Sequence, residues 1–207
     1  MQTVLLSSLY LAPVQYYSKL FCAEKVIIET DDNYQKQSYR NRCIIAAANG
    51  ALPLSIPVEK PKGVKLKMRD IKIAEHGNWQ HFHWNAIISA YNSSPFFEFY
   101  KDDFAHFYEK KTTYLFDLNE ELRTLICKLL DIDTPVSYNS SFVKEVDTNT
   151  IDLREAIHPK KDWHKTDNQF VAKPYYQVFA EKHPFIENLS IIDLLFNMGN
   201  EARLYLL

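Results

Sequence analysis

Glycine is scarce in this chain, at 4 of 207 residues, and whole classes of site go with it. Neither G-x-G-x-x-G nor G-x-x-x-x-G-K-[ST] occurs, which removes the dinucleotide fingerprint and the P-loop. The G-x-S-x-G nucleophile elbow and H-E-x-x-H are also absent. The cysteines Cys22, Cys43 and Cys127 are scattered, odd in number and form no C-x-x-C. They read as reduced, buried thiols of a cytosolic protein. No apolar run reaches the roughly 18 residues that a membrane helix needs. The opening MQTVLLSSLYLAPVQYY lacks the basic n-region of a signal peptide, so the expected location is cytoplasmic. A basic excess is missing as well. A net charge of −2 disfavours a general nucleic-acid binder, while leaving room for a local patch.

Apolar residues are plentiful. At 46% hydrophobic and 14% aromatic the chain can bury a large core, and its length fits one domain over 1–207. We expect an α/β part over 1–75 and a mainly helical part over 76–207, with an irregular stretch at 137–170. Thr3 to Ser7 (TVLLS) has strand length. Pro13 then opens a helical segment, and Val26 to Ile28 is β-branched. Strand, helix and strand within about 30 residues mark a right-handed βαβ unit with parallel strands. Ligands of such units sit beyond the carboxyl ends of the strands. Those ends are Ser7-Ser8-Leu9-Tyr10 and Thr30-Asp31-Asp32, with Gln15 and Tyr16 following at the start of the helix.

The stretch YQKQSYRNRCIIAAANGALPLSIPV, Tyr34 to Val58, combines basic and amide side chains with a hairpin signal at Asn49-Gly50. A type I′ turn there pairs Ala48 with Ala51 and Cys43 with Ile56. On an extended strand Arg40 and Arg42 share a face. With Lys36 upstream they form a clamp for carboxylate or phosphate, or else they pair with Asp31 and Asp32. Asn41 is a candidate for orienting substrate beside Tyr10 and Gln15. A charged loop follows at 59–67, with a strand expected within 65–73.

Helices are expected from Trp79, with Asn78 as N-cap, from Pro95, and over 118–130 with Asp117 as N-cap. His81 and His83 form H-x-H, but on a helix they diverge by about 200° and cannot share one ion. No metal site is expected. His76, His83 and His158 are the candidate bases. Arg154, His158, Lys160 and Lys161 form a second basic cluster in the irregular stretch. A last helix runs SIIDLLFNMG, with Ser190 as cap, Asp193 in a capping-box variant and Gly199 at its end. Asp193 and Asn197 lie four apart on one face and count as functional polar groups if buried.

Several blocks together resemble the WbqC-like protein family. They are L-Y-L-A-P-V-Q-Y-Y-S-K-L, Y-Q-K-Q-S-Y-R-N-R-C, N-G-x-x-x-L-S-I-P-V, W-x-x-x-H-W-x-x-I-x-x-A-Y, Y-x-Q-V-F and F-I-x-N-L-S-I-I-D-L-L-F-N-M-G. The version with D-L-R-E-A-I-H-P-K is similar to a short form common in Bacteroidetes-type bacteria. The resemblance implies a transferase-type protein of O-antigen-like surface-polysaccharide biosynthesis. Aminoacyl or glycyl transfer to a sugar or sugar nucleotide is suggested for some members. It brings no catalytic residue and no cofactor. The order strand, Y-x-x-P-x-Q-Y, helix, strand is also similar to nucleotidylyltransferase-like folds. Their loop carries H-x-G-H for ATP, whereas Leu9 to Gln15 contain no histidine. The alternatives to a transferase are a non-catalytic ligand-binding or scaffold protein of glycan assembly and a single-stranded nucleic-acid binder.

Overall fold

The computed structural model describes residues 2–59 and 65–207. Residues 60–64 of the expected charged loop lie outside them. The element order begins β1 (Thr3–Ser7), α1 (Val14–Cys22), β2 (Lys25–Glu29), β3 (Arg42–Ala47) and β4 (Gly50–Ser55). It continues through α2 (Trp79–Tyr91), α3 (Phe97–Glu109), α4 (Leu115–Leu129), β5 (Val136–Tyr138), β6 (Thr150–Asp152), α5 (Trp163–Thr166) and α6 (Ile191–Met198). The class is α/β, with one parallel sheet, one antiparallel hairpin and helices filling much of the second half.

The βαβ unit forms as the apolar runs dictate. β1 and β2 pair in parallel from Thr3↔Lys25 to Ser7↔Glu29, so their carboxyl ends lie level. The sheet order is β5-β2-β1-β6, all parallel. The two outer strands, VSY and TID, come from the stretch expected to be irregular. Three residues are too few to show a period of two, and only the neighbouring strand makes them strands. Between Lys65 and Ile73 the expected strand is replaced by a short 3-10 turn at Met68–Asp70.

The hairpin forms with a different register. Ala47 pairs with Gly50 and Cys43 with Leu54. Among the turn residues only Gly50 has a positive φ, +101°; Asn49 does not. A type I′ turn needs two such residues, so the turn is of the other kind, with Gly taking the left-handed position after it. The shift of two residues leaves the strand faces unchanged. Asn78 is at the N-cap of α2 but in left-handed backbone, φ 44°, without a side-chain cap bond. α4 begins at Leu115, after Tyr114, which puts Asp117 in its first turn.

α6 packs against α1, α3 and β3. Its Phe196 meets Tyr91, Phe97 and Phe104 edge-on at 5.2–5.3 Å, the favoured aromatic geometry. Gly199 ends α6 at φ 55°, where an added Cβ would lie 2.7 Å from the Phe96 ring. Ser190 stands at the N-cap but donates to Leu11 O, not to its own helix. Among the described residues no helix is long and apolar enough to cross a membrane.

Candidate functional site

The carboxyl ends of β2, β1 and β6 bring Glu29, Asp31, Asp32, Ser7, Asp152 and Arg154 to one edge of the sheet. A dense polar network fills this edge. Arg40 is 1% exposed. Its guanidinium grips Asp32 through Nη2 and through Nε at 3.1 Å, and Nη2 reaches Ser7 Oγ at 3.2 Å. Ser7 Oγ also donates to Asp32 at 2.8 Å. Across β1, Arg154 Nη1 donates to Glu29 at 2.9 Å and Nη2 to Asp152 at 2.6 Å. Glu29 is fully buried and collects further donors from Asn139, the Asp31 amide and the Val143 amide. Asp31 faces Lys67 at 2.6 Å and Arg69 at 2.9 Å. Lys67 is the main cause that holds the Asp31 carboxyl below its usual range.

Charge bookkeeping shows what this network can still do. Five carboxylates (Glu29, Asp31, Asp32, Asp152, Glu155) meet four cations (Arg40, Lys67, Arg69, Arg154) in six ion pairs. Each carboxylate therefore has a cation against it, as buried charges must, although carboxylates outnumber cations by one. Reactive capacity lies at the rim. Glu155 Oε1 is fixed by Gln35 at 2.7 Å and Arg40 at 3.2 Å, and Oε2 has no partner among the described residues. His158 sits beside Glu155 and Arg40. Burial lowers its pKa most; Glu155 opposes this, while Arg40, Lys161 and Lys160 reinforce it. The imidazole is thus largely neutral at pH 7 and able to accept a proton. Lys160 Nζ bonds Gln37 Oε1, which joins the 36–40 turn to the 154–161 segment. Lys161 is exposed close to His158, and Lys36 is exposed in the turn that Gln37 ties to Lys160.

The other expected residues are distributed differently. Arg42 does not share a face with Arg40. It is on β3 and donates across the hairpin to Ser55 Oγ at 2.8 Å, because Arg40 precedes the strand in a turn. Asn41 braces the same hairpin through Ile56 O. Tyr10 is buried, its hydroxyl 3.0 Å from His83 Nδ1 and 2.9 Å from Tyr108 Oη. Burial pushes His83 down to about 4. It is neutral and enclosed, packed edge-on against Trp79. His76 is exposed ahead of α2.

The start of α1, where a phosphate would sit in many α/β folds, is occupied by the chain itself. Val14 N–H donates to Leu189 O and Gln15 N–H to Asn188 Oδ1. The Gln15 side chain joins Lys19 on buried Asp167 at 2.8 and 2.7 Å. Tyr16 donates to Ser7 O at 3.1 Å, bracing β1 from below the crevice. Asp193 is buried on α6. It accepts from Tyr91 at 2.9 Å, Tyr175 at 2.7 Å and Gln177 at 3.0 Å. It makes no capping box, because these donors take both oxygens. Asn197 Nδ2 bonds Asp193 O one turn back.

Asp31, Asp32, Arg40, Arg154 and His158 are therefore brought together, with Lys36 in the turn before Arg40. Glu29, Asp152 and Glu155 were not singled out from sequence. Their signal was the acidic end of the second strand and the alternation of charge in D-L-R-E. A separate hollow of about 370 Å³ is lined by Glu59, Lys72, Trp79, Lys111 and Thr113, and none of the candidate residues lines it.

Residues 8–176 match the model of the WbqC-like protein family. A curated relative, "Uncharacterized protein Rv1507c" of Mycobacterium tuberculosis, is 26% identical over 92% of this chain and 91% of its own length. No solved structure gives a significant match.

Proposed function

The chain belongs to the WbqC-like protein family, and from that premise we propose that its carboxyl-end crevice carries out group transfer to a sugar or sugar nucleotide in bacterial surface-polysaccharide assembly. The group is small and of acyl or aminoacyl type. The glycan assignment rests on the family resemblance, and the chemistry rests on one observation. A histidine with a lowered pKa stands beside a half-exposed carboxylate and a buried guanidinium at the ends of parallel strands. In this reading neutral His158 takes the proton from the attacking hydroxyl or amine. The new acyl–oxygen or acyl–nitrogen bond forms, the bond from the acyl group to its donor breaks, and the imidazolium, facing Glu155, returns the proton to the leaving group. Lys36, Lys160 and Lys161 hold anionic parts of the donor, and the Arg40–Asp32 pair fixes the geometry beneath.

The test is a thermal-shift screen with sugar nucleotides, nucleotides and amino acids, followed by a turnover assay of the ligands found, run on the wild type, His158→Ala and Glu155→Gln. Both side chains reach solvent, so neither substitution opens the core. A ligand at 100 times its Kd stabilises by about 2.7 kcal/mol. The expected result is a ligand that shifts the wild type and whose transfer is lost in His158→Ala. Equal turnover by the two proteins would end the proposal.

One observation favours a second reading, a non-catalytic binding protein of the same pathway. The Arg40 fork is engaged by Asp32 and not free for substrate. That reading predicts a bound ligand recovered unchanged after prolonged incubation.

A further inference from the structure

The carboxyl-end rim has a second part, at the end of β2 toward β5, that the proton chemistry above does not use. Thr30 ties its elements together. The Thr30 amide donates to Asn139 Oδ1 at 2.8 Å, and Thr30 O accepts from the Arg69 amide at 3.4 Å. Lys67 and Arg69, each with 45% of its side chain exposed, share the single carboxylate of Asp31. Two cations on one anion leave one positive charge facing solvent. On the other side of Thr30, the 139–143 segment is fastened down: Asn139 bonds Glu29 at 2.5 Å, the Val143 amide donates to Glu29 Oε2 at 3.0 Å, and Val143 O accepts from Arg154 at 2.8 Å. Phe142 stands on that segment, 45% exposed. One side of its ring is backed by the Arg154 guanidinium, 4.9 Å from the centroid. An apolar ring held out at a charged rim, its back against a cation, is a pre-organised stacking surface. Tyr138, half exposed at the end of β5, is held through its hydroxyl by Arg123 and Glu120 at 3.1 Å each.

We propose that this corner is a nucleotide subsite: Phe142 stacks on the base, and Lys67 with Arg69 binds the phosphates. The inference rests on the transfer reading above and deepens it by naming the acceptor class, a sugar nucleotide held through its nucleoside diphosphate. The surplus cation calls for an anion, and the exposed ring calls for a planar partner. A nucleotide supplies both within one molecule. The buried floor needs no change, because Asp31 already holds both cations in place.

The probes are uridine diphosphate and cytidine diphosphate, with uridine and pyrophosphate as halves, titrated calorimetrically into the full chain at 50 mM salt or so. The wild type is expected to bind the diphosphates. Phe142→Ala should weaken them at least about fivefold, the lower bound for losing one stacked base. Phe142→Tyr should restore them. Arg69→Ala should weaken diphosphates and pyrophosphate by about tenfold and leave uridine unchanged. Both positions are half exposed, so the variants keep the fold.

Three results would overturn the inference. The first is no binding of either diphosphate at millimolar concentration. The second is binding that survives Phe142→Ala and Arg69→Ala but fails in His158→Ala, which moves the nucleotide to the other rim and leaves the transfer proposal standing. The third is tighter binding of single-stranded oligonucleotides than of mononucleotides. Conversely, Phe142-dependent nucleotide binding with transfer unaffected by His158→Ala would sustain the subsite and end the transfer proposal.

Discussion

Replacing Asp193 by asparagine gives a prediction whose sign and size follow from one buried group. Asp193 has no cation against it. Its carboxylate is satisfied only by the Tyr91, Tyr175 and Gln177 donors, and it is fully buried. Burial raises its pKa most, the three donors lower it in part, and the net result is a rise from 3.8 to about 6. The folded state thus keeps the proton more strongly than the unfolded chain does. The stability this proton confers is fully present below about pH 4 and is lost as the pH rises through about 6. Two units amount to about 3 kcal/mol. About half, some 1.4 kcal/mol, disappears between pH 5 and pH 7.5 by the same linkage. Asp193→Asn cannot ionise. Whatever the substitution costs in hydrogen-bond geometry, it should improve against the wild type by about 1.4 kcal/mol between these two pH values. Urea unfolding at pH 5 and 7.5 reads this directly, and Tm should follow by about 3–6 °C. A stability difference that stays constant within about 0.3 kcal/mol across that range would show that burial does not control this carboxyl.

Three further outcomes follow from the same contacts. Arg40→Ala leaves Asp32 buried without its cation and should destabilise the fold by about 3–5 kcal/mol in urea titration; a loss under 1 kcal/mol would mean the pair is not buried as described. Gly199→Ala should cost about 1–3 kcal/mol, because the new methyl enters the Phe96 ring and the backbone there is left-handed. If His158 is the base, the acid limb of the pH–rate profile should fall below the usual 6.5 and should vanish in His158→Gln.

How far the sequence reached depended on whether the determinant was local. TVLLS, the Pro13 helix and VII announce the parallel unit because β-branched and apolar runs of that length have few other uses. The carboxyl ends of those strands then located Asp31, Asp32 and the approach to Arg40. β5 and β6 were invisible, since three residues become a strand only when a neighbour offers its edge. With them went the knowledge that Glu155 and His158 sit over β1. The glycine at position 50 marked the hairpin correctly, but which residue takes positive φ decided the register. Gln15, Arg42 and Asp193 show the other limit. A polar side chain in a suggestive place is equally useful as an internal brace, and only its folded partners, such as Asp167 for Gln15 or Ser55 for Arg42, tell the two uses apart.

The central claim is that ligand meets the protein at the carboxyl ends of the parallel strands. Backbone amide chemical shifts, recorded while a sugar nucleotide is titrated into the labelled protein, test it most directly. The account predicts that the largest changes fall within Ser7–Tyr10, Thr30–Arg40, Asn139–Val143 and Arg154–Lys161. Changes confined to Lys72, Trp79, Lys111 and Thr113, around the separate hollow, would contradict it.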